Sequence, residues 1–160
     1  MNWDIFCKVV DNFGDAGVVW RLSRQLAHEQ EQQVRLIIDD LPTLAHLEPQ
    51  VKADCPRQVV QGIEIIPWSD QVTPQDKLQV VLETFGCNLP VLYLETLSRD
   101  PSAHVWINLE HLSAEGWVGD FHGLSSPGLS YPLPRYFFFP GFDLKTGGLL
   151  REGSLLLERD

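Results

Sequence analysis

The residues able to do chemistry gather in one short stretch, Asp11-Asn12-Phe13-Gly14-Asp15-Ala16-Gly17. Two carboxylates separated by small and flexible residues make an acidic turn. An ionised Asp offers only acceptor oxygens, so the turn suits a cationic ligand or the acceptance of a proton. It is no phosphate cradle. G-x-G-x-x-G is missing, and two negative charges would repel the anion that a helix N-terminus otherwise attracts. The same residues also have an architectural reading. Asp15 serves equally well as a helix N-cap, and Asp11 as a loop-opening residue that bonds its own backbone. Spacing alone leaves both readings open.

Elements on either side must place this stretch. Ile5-Phe6-Cys7-Lys8-Val9-Val10 is short, apolar and β-branched, the pattern of a buried strand. Beyond the turn, Val18, Val19, Leu22, Leu26 and Ala27 recur at helical spacing and predict a helix over 17–30. A turn of this kind sits where open α/β sheets bind ligands, beyond the carboxyl ends of the strands. Val34 to Ile38 predicts a second strand ending at Asp39-Asp40, parallel to the first through a right-handed crossover.

Further along, Pro42 favours a short helix over 41–47, and residues 48–61 read as irregular surface. Strands are expected over 63–66, 79–83 and 104–109, and helical pieces over 90–97 and 112–118. A loop rich in Gly, Ser and Pro covers 121–134, an aromatic β-prone run covers 136–139, and a terminal helix is expected within 149–160. The alternation specifies an α/β sandwich with a largely parallel sheet. Asp39 and Asp40 read as ordinary strand-end charges, whereas Glu83 and Glu110 lean toward a site.

Composition narrows the function. At 160 residues the chain suffices for one domain with a substantial core. A formal charge of −10 argues against a nucleic-acid backbone as main ligand and favours a basic partner. No run approaches the ~18 apolar residues of a membrane span, and Met1-Asn2-Trp3-Asp4 lacks the basic start of a signal peptide. Cys7, Cys55 and Cys87 have no C-x-x-C spacing, and Cys7 and Cys87 read as core residues. A cytoplasmic location is expected. The five histidines show no metal-ligand spacing, and no G-x-S-x-G turn offers a serine nucleophile.

The chain resembles a known family over nearly its whole length. Trp3-Asp4-Ile5-Phe6-Cys7, Val9-Val10-Asp11-Asn12-Phe13-Gly14-Asp15, Gly17-Val18 and Trp20-Arg21-Leu22 are similar to the start of the elongation factor P arginine rhamnosyltransferases. The likeness continues in Val34-Arg35-Leu36, Asp39-Asp40-Leu41, Glu83-Thr84-Phe85-Gly86-Cys87, Asn108-Leu109-Glu110, Leu112-Ser113-Ala114-Glu115 and His122-Gly123-Leu124. Phe137-Phe138-Phe139-Pro140-Gly141-Phe142 and Thr146-Gly147-Gly148-Leu149-Leu150-Arg151-Glu152 close it. Ala16 departs from the β-branched aliphatic residue common in the family.

The resemblance implies a Rossmann-like domain, the N-terminal, acceptor-binding half of a GT-B glycosyltransferase. Residues 1–150 would form that domain, and 151–160 would lead toward a donor-binding domain beyond this chain. The implied reaction is inverting transfer of rhamnose from dTDP-β-L-rhamnose to an arginine of elongation factor P, without cofactor or metal. This half alone would be inactive. Asp15 maps to the general base and Asp11 to its partner in holding the arginine. Gly14 and Gly17 would let backbone approach the ligands, Asn12 and Phe13 would contact them, and Glu110 is a further substrate-binding candidate. Uncovered by a second half, Trp106, Trp117 and the 137–139 run would expose apolar surface. The alternatives are a GT-B half acting on another acceptor and a non-catalytic protein-binding module.

Overall fold

A computed structural model describes residues 1–126 and 130–159. Its strands are β1 (Asn2–Cys7), β2 (Gln33–Ile38), β3 (Gln58–Val60), β4 (Ile63–Pro67), β5 (Val80–Thr84), β6 (Val105–Leu109), β7 (Ser125–Ser126) and β8 (Arg135–Phe138). The helices are α1 (Asn12–His28), α2 (Leu41–Leu47), α3 (Val91–Leu97), α4 (Val118–Phe121) and α5 (Leu155–Arg159). Among the described residues the strands form one sheet in the order β3-β4-β2-β1-β5-β6-β8-β7. The inner six are parallel, and only β3 and β7, at the two edges, run antiparallel to their neighbours.

Strand order turns around at β1. From there the chain builds outward through β2 and β4, then returns to add β5, β6 and β8 on the other side. That is the order of a doubly wound sheet, and the gap between β1 and β5 is its topological switch point. The acidic stretch follows β1 directly.

Both faces of the sheet are covered, which explains why its strands read as continuous apolar runs. Successive side chains alternate between the faces. Ile5, Cys7, Leu36, Ile38 and Leu82 pack with Ala16, Val19 and Trp20 of α1 and Leu41 and Leu44 of α2. Phe6, Ile37 and Val81 point the other way, against Tyr93, Leu94 and Leu97 of α3 and against Trp106. Asp4 is buried among this second set. The parallel register sets it opposite Arg35, whose Nε and Nη2 reach its two oxygens at 2.8 and 2.6 Å. The Tyr93 hydroxyl at 2.5 Å and Gln75 Nε2 at 2.8 Å donate to the same carboxylate. A buried ion pair persists only when its remaining valences are met in this way.

Several sequence expectations are corrected. Residues 48–61 are not all irregular: Gln58–Val60 pairs with β4 across Gln61 and Gly62, whose φ values of 52° and 78° suit a type I′ hairpin turn. The first strand stops at Cys7, and Val10 is 87% exposed. Residues 112–117 are not helical; Ser113 bridges to Gly141, and α4 begins only at Val118. In the 121–134 loop, Ser125–Ser126 forms β7, while residues 127–129 lie outside the described residues. The terminal helix is confined to Leu155–Arg159, and Asp160 is likewise outside the described residues. Trp106 is buried, its Nε1 donating to Glu83 Oε2 at 3.1 Å, whereas Trp117 is half exposed.

Candidate active site

The acidic stretch is not a turn that precedes a helix, as its glycines suggested. It forms the first turns of α1, which begins at Asn12 rather than Gly17. The chain reaches the helix through a backbone held by carboxylates. Asp39 N donates to Cys7 O at 3.3 Å, extending the β1–β2 ladder one step. Val9 N then donates to Asp39 Oδ1 at 2.8 Å. Val10 N and Asp11 N both donate to Asp15 Oδ2 at 3.0 Å. Three successive N–H groups are thus taken by two carboxylates. Asn12 enters the helix at φ 37°, a left-handed value that Asn tolerates better than most residues.

This geometry gives Asp15 an architectural role as well as a candidate chemical one. It is not the N-cap; Asp11 holds that position, without a side-chain cap bond. Asp15 reaches back from the first turn, as the acidic member of a capping box does. It is only 4% exposed, and its Oδ2 already accepts two hydrogen bonds. Asp11 is exposed and its carboxylate lies over Gly14, where an added Cβ would come within 2.7 Å of Oδ2. Glycine at 14 therefore makes room for Asp11. Gly17 is less demanding: a Cβ there would meet only Leu47 Cδ1 of α2, at 3.9 Å. Asn12 is exposed, and Phe13, 53% exposed, stands edge-on to His46 of α2 with ring centroids 6.1 Å apart.

Glu110 lies along the same carboxyl edge of the sheet but two strands from β1, roughly 10 Å at the usual strand spacing. Its Oε1 accepts from Asn108 Nδ2 at 2.5 Å, and Asn108 Oδ1 in turn accepts from Gly86 N at 3.0 Å. Glu83 faces inward. Fully buried, it accepts from Asn88 N and Trp106 Nε1 and pairs with Arg135 Nη1 at 3.4 Å, so it shapes the loop after β5. Phe85 of that loop stacks on His111, which follows β6, with ring centroids 4.1 Å apart. Cys7 and Cys87 are buried nearby, and burial pushes each thiol up to about 12, which keeps them from acting as thiolates.

Sequence reasoning passed over two features at this edge. Asp39, read as a strand-end charge, is the acceptor for Val9. Pairing the two strands in parallel register would have placed it beside the turn. Lys8 stands over the Trp68 ring at 4.6 Å, and both help line a groove of about 490 Å³ with Asn88, Pro90 and Glu95. Asp40, in contrast, is the expected structural residue: it caps α2 by accepting from Thr43 N at 2.9 Å.

Strand order and the carboxylate-bearing helix start at the switch point define a doubly wound α/β domain with a candidate site at its carboxyl edge. Comparison with known proteins narrows this further. The chain belongs to the family described as Elongation-Factor P (EF-P) rhamnosyltransferase EarP, which matches residues 3–160. It is 49% identical to a protein-arginine rhamnosyltransferase of Pseudomonas putida, over 99% of this chain and 42% of that relative. With the protein of the same name from Pseudomonas aeruginosa it shares 44% identity, over 99% of this chain and 42% of the relative. A third, from Neisseria meningitidis serogroup B, is 42% identical over 92% of this chain and 38% of its own length. The chain thus spans about two fifths of the curated relatives it matches.

Proposed function

We propose that this chain is the acceptor-side half of an inverting GT-B glycosyltransferase that moves rhamnose from dTDP-β-L-rhamnose to an arginine of elongation factor P. One observation carries the reading. A nearly buried Asp15, beside an exposed Asp11, stands at the switch point with one carboxylate oxygen already fixed by backbone. The neutral thiols and the structural Glu83 leave this pair as the groups best suited to the chemistry. The three cysteines are free, which fits a reducing, cytoplasmic setting.

A guanidinium is planar, carries five donors and loses its proton only above ~12, so it is a poor nucleophile in free solution. Asp11 holds one edge of the fork through charge-assisted hydrogen bonds. Asp15 takes the proton from the attacking nitrogen as that nitrogen bonds to the anomeric carbon. The bond from that carbon to the phosphate oxygen breaks, and dTDP leaves with the electron pair. Because a carboxylate is a far weaker base than a guanidine, it cannot deprotonate the guanidinium beforehand, and proton transfer accompanies bond formation. Asn12, Phe13, Gly14 and Gly17 line the approach, and Glu110 helps attract a basic acceptor loop. On this reading most donor contacts belong to the second half of the GT-B enzyme.

The test uses the full-length enzyme with dTDP-rhamnose and elongation factor P. Mass spectrometry is expected to find one rhamnosyl group on an arginine. Unmodified elongation factor P, or sugar on another residue type, would overturn the reading.

A further inference from the structure

Resting on the assignment of Asp15 as base, we propose that Asp39 is a positioning residue for the reaction, holding the turn on which Asp11 and Asp15 are set. The argument is one of connected bonds. Asp39 N bonds Cys7 O, and Asp39 Oδ1 receives Val9 N–H. The next two amides, of Val10 and Asp11, are the ones bonded to Asp15 Oδ2. Asp39 therefore secures the upstream end of a three-residue segment, and Asp15 secures its downstream end. With Val9 held, both donors converge on one oxygen of Asp15, which leaves the other free to face a substrate. If the Val9 N–H bond is lost, the Val9 side chain still packs against the core, but Val10 is exposed and adds no anchor of its own, so the backbone of Val10 and Asp11 can shift. The donors then no longer fix the Asp15 carboxylate, and Asp11 moves with the backbone that carries it. Asp39 itself is exposed and makes these bonds from the end of β2, so shortening it leaves no cavity.

The experiment compares Asp39→Ala and Asp39→Asn in the full-length enzyme. Asparagine keeps an oxygen for Val9 N–H and loses only the charge. Asp39→Ala is expected to lower kcat about 10- to 100-fold with KM for the donor unchanged, as for a misplaced catalytic group. Asp39→Asn should retain near-normal kcat. Amide hydrogen exchange gives a reading independent of turnover: in Asp39→Ala, protection should fall at Val10 and Asp11 as well as at Val9. Normal kcat in Asp39→Ala, an Asp39→Asn as impaired as the alanine, or loss of protection at Val9 alone would each overturn the proposal. A fully active Asp15→Asn would instead remove the base assignment, while the exchange data still decide whether Asp39 holds the turn.

Discussion

On the proposed reading Asp15 combines two duties in one carboxylate, and substitutions can separate them. Alanine removes the base and also strands two backbone donors, a loss of about 1–3 kcal/mol. Asparagine removes the base but keeps an oxygen for Val10 and Asp11. Both variants are expected to lose about 10²–10⁴ in transfer rate, while only Asp15→Ala should melt measurably earlier. Transfer assays paired with thermal melts check this, and near-normal turnover by Asp15→Asn would return the residue to a purely architectural role. Gly14→Ala makes a complementary case. Alanine is the better helix former by about 1 kcal/mol, yet its Cβ would meet Asp11 Oδ2 at 2.7 Å. The flexible carboxylate gives way, so stability is expected to hold or rise while transfer falls. Equal activity in this variant would mean that the place of Asp11 over Gly14 is unimportant.

At the scale of elements, α1 is held on two sides. Its inner face packs on the sheet, and its outer face carries residues 151–153 as a polar strap. Arg21 binds Glu152 through two bonds of 2.6 and 2.7 Å, Gln25 Nε2 donates to Arg151 O, and Gly153 N donates to Glu29 Oε1 at 2.8 Å. Hydrogen bonds from Arg21 hold the Glu152 carboxyl below its ordinary value of 4.5. A carboxylate lowered in the folded state stabilises fully above its unfolded pKa, and that contribution disappears as pH falls through the folded value. The strap should therefore loosen from about pH 4 downward, with Gly153 amide exchange as the readout. Salt should loosen it too, because the pair is partly exposed and such pairs contribute only about 0.2–1 kcal/mol. A Gly153 amide indifferent to both would show that the backbone contacts alone hold the segment.

Over the whole molecule, carboxylates serve different ends. Asp11 at the carboxyl edge faces solvent, and the Asp4 system lies inside the α3 face. Asp4→Ala leaves the largely buried Arg35 with Thr73 O but no carboxylate, and removing one member of a buried pair costs about 3–5 kcal/mol. Denaturant melts should record that loss, and a loss within experimental error would mean that Arg35 escapes to water. The charge of −10 acts over a longer range. If it steers a basic loop of elongation factor P, association should slow steeply with salt, since the Debye length is about 8 Å at physiological ionic strength. Salt-independent rates would assign recognition to apolar contacts, for which Phe13, Trp117 and Phe142 are exposed. Residues 1–160 alone are expected to bind elongation factor P weakly and to transfer no rhamnose; turnover by this chain would place the donor site within it.

Periodicity and turn chemistry act within a few residues, so the sequence alone determined the α/β alternation, the buried runs of β2, β4, β5 and β6, and the helix at 41–47. For the same reason it located the acidic stretch beyond β1 and assigned Cys7 and Cys87 to the core. It misjudged the start of α1, because glycines and carboxylates that usually make a turn are here bonded into a helical one. Only the tertiary structure decided that Asp15 points back to Val10 and Asp11, that Asp39 joins them from β2, that Glu83 and Trp106 turn inward, and that Glu110 stands two strands away. Each of those outcomes depends on strand order and register, which arise when segments tens of residues apart bury their faces together. No local pattern encodes which neighbour a strand end will meet.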